Sequence, residues 1–204
     1  MTDLERDLAG LMTPDLDLDR FAAQLATRAS DDALVDVAYA PVDSPMGELT
    51  VFVTPRGLVR LSYPNEAMAA TFDELTDRVS PRILRHPKAT DAVRRELEAY
   101  FDGRLQAFRA AIDWSLVRGF ARGVLAATAR VPWGSVTTYR DVATEAGSPR
   151  AARAAGNALG SNPIPIVVPC HRVLHADGGL GGYSGGLDRK RFLLDLEGTL
   201  PARA

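Results

Sequence analysis

One short run carries the residue types best suited to chemistry: Val167-Val168-Pro169-Cys170-His171-Arg172-Val173. It contains the single cysteine of a 204-residue chain, with a histidine directly after it. A free thiol titrates near about 8.5 and is a weak nucleophile until a base or cation favours the thiolate. A histidine can serve as that base, directly or through one water, and needs a carboxylate or carbonyl to fix its tautomer. The same cysteine would also suit a core position, where small thiols are common. In an extended chain neighbouring side chains point to opposite faces, so only a turn at Pro169-Cys170 would aim both groups at one site. The downstream acids Asp177, Asp188, Asp195 and Glu197 could each support the histidine, and spacing does not choose among them.

The surrounding elements must hold this pair. Prolines at 163, 165 and 169 forbid a helix interior or a central strand, so Ser161 to Val173 is expected as a stiff extended path. The run GGLGGYSGG (178–186) holds six glycines in nine residues and predicts a loop whose backbone can approach a small planar ligand. It lacks the Gly-x-x-x-x-Gly-Lys-Ser/Thr pattern of a phosphate loop. A helix over Asp188–Leu196 follows, with Phe192, Leu193 and Leu196 as its apolar stripe and Gly198 as its stop. Upstream, a helix is expected over Leu116–Ala129, then an extended turn. A short helix over Tyr139–Glu145 should be capped by Thr138 with Asp141. After Gly147, Ser148 is read as N-cap and Pro149 as the first position of a helix running to Gly160. Helix, glycine turn, helix is the sequence form of a helix-turn-helix. The second helix, PRAARAAGNALG, is nearly bare. Its small face lets a backbone come close to a packed helix or to a nucleic-acid groove, and Arg150 and Arg153 are its only long side chains.

The front half differs. Residues 1–34 are acidic, with Leu4, Leu8 and Leu11 at helical spacing, an interruption at Pro14, and Phe21 and Leu25 continuing the pattern. Three short β-rich runs between 35 and 63 predict a meander; helices are expected over 66–79 and 89–102, with Pro81 to Pro87 as a linker. Net charge is −7 over residues 1–113 and +5 over 114–204, which points the back half toward a polyanion. One cysteine excludes an internal disulfide and any multi-cysteine zinc site, and His86, His171 and His175 are too scattered for a metal cluster. No run approaches the ~20 apolar residues of a membrane span, and the N-terminus lacks signal-peptide character. A reduced, cytoplasmic location without membrane contact is the expectation.

Taken together, NPIPIVVPCHRV and GGYSGGLDRKRFLLDLEG resemble the active-site region of the O6-alkylguanine-DNA alkyltransferases. VPWGSVTTYRDVATEAGSPRAARAAGNALGSNP is similar to that family's helix-turn-helix, and SPMGELTVFVTPRGLVRLSYPNE with ELEAYFDGR resembles, less strongly, its N-terminal domain; the likeness spans about residues 36–198. The resemblance implies an α/β N-terminal domain, a small antiparallel sheet with helices of ribonuclease H-like type, over 36–110. A mainly α C-terminal domain with the helix-turn-helix would occupy 111–204, and residues 1–35 would be a helical extension of open role. It implies one-time transfer of an alkyl group from O6-alkylguanine to Cys170, with O4-alkylthymine as a candidate second substrate. The protein would act as a monomer on the minor groove of double-stranded DNA, without cofactor or metal. By position, His171 would be the base through a bridging water, Glu197 its support, and Asn162 the brace of the cysteine loop. Tyr139 would meet the rotated nucleotide. Arg153 would fill the gap in the base stack, on a surface of Arg150, Ala151, Ala152 and Gly156. Val173, Tyr183, Ser184 and Lys190 would belong to the base pocket. RGFARGVLAAT (118–128) departs from the family in lacking the Thr and Gln found around the matching Phe120. A non-catalytic sensor of alkylated DNA and a helix-turn-helix regulator are the alternative functions.

Overall fold

A computed structural model describes residues 18–199. The expected helical spacing of Leu4, Leu8 and Leu11 lies outside the described residues. Helix α1 (Leu18–Asp31) belongs to a separate compact unit and carries Phe21 and Leu25 on exposed positions.

The remaining chain begins with the expected meander. β1 (Val37–Val42), β2 (Leu49–Thr54) and β3 (Gly57–Ser62) pair antiparallel, with Tyr39 opposite Phe52 and Val51 opposite Leu61. The sheet is mixed rather than purely antiparallel. Residues 83–85, expected as linker, form β4 (Ile83–Arg85), which pairs parallel to β1 and gives the order β3-β2-β1-β4. Pro81 and Pro87 lie just outside this edge strand, where a missing donor costs nothing. Helix α2 (Met68–Arg78) lays Phe72 against the Tyr39–Phe52 pair, with ring centroids 5.1 and 5.8 Å apart. Helix α3 (Pro87–Phe101) opens two residues earlier than expected because Pro87 fits the first helical position. It buries Val93, Leu97 and Tyr100, and Gly103 (φ +70) ends it. Burying each such large apolar side chain stabilises by roughly 1.5–3 kcal/mol.

The continuous helix expected over Leu116–Ala129 is divided. Trp114–Leu116 forms a 3-10 turn, Arg118 is extended, and α4 (Gly119–Thr128) starts with Gly119 at φ +56. The buried Asp113 carboxylate sets this break by accepting from the Ser115 backbone (3.0 Å), Thr54 Oγ1 (2.6 Å) and Arg56 Nε (3.0 Å). Helix α5 (Tyr139–Glu145) carries the expected capping box of Thr138 and Asp141. Helix α6 (Ala152–Gly160) begins later than expected: Ser148 to Ala151 make a turn, closed by Ala151 N–H on the Ser148 carbonyl (2.9 Å). Pro149 sits inside that turn, where its fixed φ is favoured, rather than in the helix. α5 and α6 pack on each other and on α4, the arrangement the helix-turn-helix pattern predicts. Helix α7 (Leu187–Leu196) closes the described chain, with Gly198 at φ +69 after it. No helix among the described residues is long and apolar enough to cross a membrane.

Among the described glycines, the closest backbone neighbour faces Gly57. The Leu58 N–H donates to the Ala111 carbonyl (2.8 Å), and a Cβ on Gly57 would sit 2.1 Å from that oxygen. Gly57 also holds φ +131, a conformation L side chains rarely adopt. Gly57→Ala should therefore lower stability by at least about 2 kcal/mol with an unchanged denaturant m-value, as read in urea unfolding.

Candidate active site

The segment before Cys170 is not extended. Its prolines prevent regular pairing, and the chain folds on itself instead, with Val168 N–H bonded to the Ile164 carbonyl (2.9 Å) and Cys170 N–H to the Val168 carbonyl (2.8 Å). Ile166 takes φ +73, which is strained for a β-branched residue. Cys170–Arg172 then make a 3-10 turn, the local bend needed to turn the thiol and imidazole out of opposite-face alternation. Asn162 holds the loop in this shape. Its amide donates to the Val168 carbonyl (2.9 Å) and to Cys170 Sγ (3.2 Å), while its oxygen accepts from the Ile164 N–H (3.0 Å).

A two-residue parallel pair fixes the other side. β5 (Thr137–Thr138) pairs with β6 (Val173–Leu174), so the strand entering α5 lies beside the strand leaving the cysteine turn. Tyr139, the first residue of α5, is thereby held next to Cys170. A cleft of about 650 Å³ opens there, lined by Cys170, Tyr139, His175, Tyr183, Ser184 and the α6 surface of Ala152, Arg153 and Gly156. The glycine loop passes close against Tyr139: a Cβ on Gly181 would lie 2.4 Å from its hydroxyl. Tyr183 Oη is 2.6 Å from Tyr63 Oη, which ties the loop to the residue just after β3.

Behind the thiol lies a buried charged cluster. Glu197, which caps the C-terminus of α7, is 4% exposed. Its Oε1 accepts from Tyr100 Oη (2.7 Å) and Arg172 Nη2 (2.8 Å) and lies 2.9 Å from His171 Nε2; Oε2 accepts from Arg172 Nε (2.8 Å). Burial pushes this carboxyl up, but the hydrogen bonds from His171, Arg172 and Tyr100 outweigh it and hold Glu197 down at about 2. His171 is fully buried, and its burial, opposed by Glu197, holds the imidazole below its ordinary value. Its Nδ1 has no hydrogen-bond partner among the described residues. Burial also raises the Cys170 thiol, against the lowering pull of the Asn162 amide and the Lys190 charge.

The structure gathers Cys170, Tyr139, Ala152, Arg153, Gly156, Tyr183 and Ser184 around the cleft, with Asn162, His171 and Glu197 packed behind it. Arg150 and Ala151 lie on the turn before α6 and do not line the cleft. Val173 and Lys190 are buried away from it: Lys190 Nζ donates to the Val173 carbonyl (2.7 Å) and to the Leu180 carbonyl, and burial lowers it to about 8. Sequence reasoning did not single out Tyr100, Arg172, Tyr63 or His175. Tyr100 reads as part of an apolar helix face. Arg172 stands in the key motif, but its partner is remote in sequence. Among the described residues no three His, Cys, Asp or Glu side chains gather as a metal-ligand set.

Known proteins share both halves of this arrangement. Residues 37–114 match the family model described as 6-O-methylguanine DNA methyltransferase, ribonuclease-like domain, and 119–199 match the corresponding DNA binding domain. A methylated-DNA–protein-cysteine methyltransferase of Mycolicibacterium paratuberculosis is 40% identical over 163 residues, covering 79% of this chain and 92% of that protein. One from Methanosarcina barkeri is 36% identical over 162 residues, covering 78% and 96%. The crystal structure of Mycobacterium tuberculosis OGT in complex with DNA superposes with TM-score 0.67 at 39% identity, covering 81% of this chain and 96% of that one. With both halves matched and the cysteine turn in place, the chain belongs to the O6-alkylguanine-DNA alkyltransferase family.

Proposed function

We propose that this protein repairs DNA by taking the alkyl group of O6-alkylguanine onto Cys170, once and irreversibly. The carrying observation is a buried thiol at the wall of a cleft framed by a bare helix, with a histidine–glutamate pair directly behind it. The O6 of guanine lies inside the duplex, so the base must be rotated out before a buried thiol can reach its alkyl carbon. The small face of α6 suits close approach to the minor groove, and Arg153, exposed at the cleft, would occupy the space the base leaves. Tyr139 and Tyr183 offer aromatic walls for the extruded base.

In the transfer step the Cys170 sulfur forms a bond to the alkyl carbon while the bond from that carbon to O6 breaks, its electron pair staying with the guanine. The thiol proton leaves through His171 Nδ1 by way of a water, and a proton ends on the guanine, so the alkyl group and the proton exchange places. Glu197 fixes the His171 tautomer, and Arg172 and Tyr100 keep Glu197 ionised and in position. Water does not hydrolyse the thioether product, so each molecule acts once. A non-catalytic sensor has no use for this thiol, and the relatives named above are methyltransferases. A reduced, cytoplasmic location suits a free thiol, and the α/β domain is assigned to 36–110 and the helix-turn-helix and active site to 111–204.

Duplex carrying a labelled O6-methylguanine should transfer one label per protein to the peptide containing Cys170, and Cys170→Ala should lose all transfer while still binding DNA. Label elsewhere, or several turnovers per molecule, would sink the reading. Because burial keeps His171 neutral below its ordinary value of about 6.5, the acid limb of the transfer rate should lie below that pH in single-turnover kinetics. Tyr100→Phe removes one buried hydrogen bond to Glu197. It should cost about 1–2 kcal/mol of stability and slow transfer several-fold, with DNA affinity unchanged.

A further inference from the structure

A second concavity, of about 540 Å³, lies between the β2–β3 turn, the C-terminal end of α2 and the first turn of α4. Four arginines line it, Arg56, Arg78, Arg118 and Arg122, against one acid, Asp113. Asp113 is consumed by Thr54, Arg56 and Ser115, and Arg78 by Glu74 (2.6 Å) and the Leu116 carbonyl (2.5 Å). The exposed side chains of Arg118 and Arg122 have no hydrogen bond or ion pair among the described residues.

Their placement runs against local stability. Arg118 is the N-cap of α4 and Arg122 lies four residues on, so two like charges share one helix face. They stand at the end where the helix dipole is positive and the first N–H groups are free. α4 has neither a side-chain cap nor an acidic residue in that turn. An oxyanion in this cleft would offset the like-charge crowding, because guanidinium groups pair with oxyanions in charge-assisted hydrogen bonds. A Cβ on Gly123 would lie 3.4 Å from the Ala146 methyl, so this end of α4 abuts the turn leading to α6, where Arg150 is exposed.

We propose that this arginine cleft binds a backbone phosphate of the DNA duplex, beside the helix-turn-helix and outside the lesion cleft. The assignment rests on the alkyltransferase reading for its ligand.

The test is the double variant R118A/R122A, measured by fluorescence anisotropy on a lesion-bearing duplex over about 50–200 mM salt. The plot of log affinity against log salt should become shallower by about 0.9 for each phosphate that is no longer neutralised, with binding about ten-fold weaker at low salt. Transfer from free O6-methylguanine base, which carries no phosphate, should be unchanged, and R118K/R122K should restore the slope. R118Q and R122Q singly should each flatten it by about half as much, and they carry the test if the double variant misfolds. Unchanged slope and affinity would overturn the proposal. So would inorganic phosphate raising the wild-type Tm but not that of the double variant while the DNA slope stays the same, since the cleft would then serve a free oxyanion. Wild-type protein that transfers from neither DNA nor free base would instead refute the alkyltransferase reading.

Discussion

The structure turns on one buried carboxylate. Glu197 sits at the end of α7 with almost no exposure, yet it is held ionised by Tyr100, His171 and Arg172. A charge withdrawn from water must be matched by partners of good geometry, and removing the charged one, here Arg172, typically costs about 3–5 kcal/mol. These three donors come from α3 and from the cysteine turn itself. Satisfying Glu197 therefore fixes the distance between the helix behind the sheet and the loop that carries the thiol. The same bonds that hold the fold also orient the imidazole.

The thiol is placed by a different kind of constraint. Prolines deny the loop any regular structure, and Asn162 supplies the hydrogen bonds the backbone would otherwise lack. The strained Ile166 shows that this geometry is imposed by its surroundings rather than preferred locally. On the open side, small residues of α6 and the glycine loop keep the cleft accessible. Cys170 is thus buried against protein on most sides and lines the cleft formed with Tyr139, Tyr183 and Arg153.

Charge along the chain follows the same division of labour. Acids and arginines in the front half neutralise one another, as at Arg60 with Glu66 and Glu74, and at Arg82 with Asp36. Around α4 and α6, Arg118, Arg122, Arg150 and Arg153 are exposed without such partners among the described residues. Exposed guanidinium groups without acidic partners produce a field suited to a polyanion.

By itself the sequence determined the meander, the capping box at Thr138, the glycine stops, the bare helix and the pairing of a cysteine with a histidine. Each of these is a local rule written in adjacent residues. It misplaced the start of α6, where Pro149 serves a turn, and it missed β4, β5 and β6, whose two or three residues are too short to show a period. Spacing left Asp177, Asp188, Asp195 and Glu197 open and the family resemblance named Glu197; the tertiary structure shows Glu197 meeting His171 and adds Tyr100 and Arg172, which nothing in the sequence had picked out. The physical reason is that a buried ion chooses its partners by distance in space. Tyr100 and Glu197 are 97 positions apart in the chain, and no local pattern encodes that meeting.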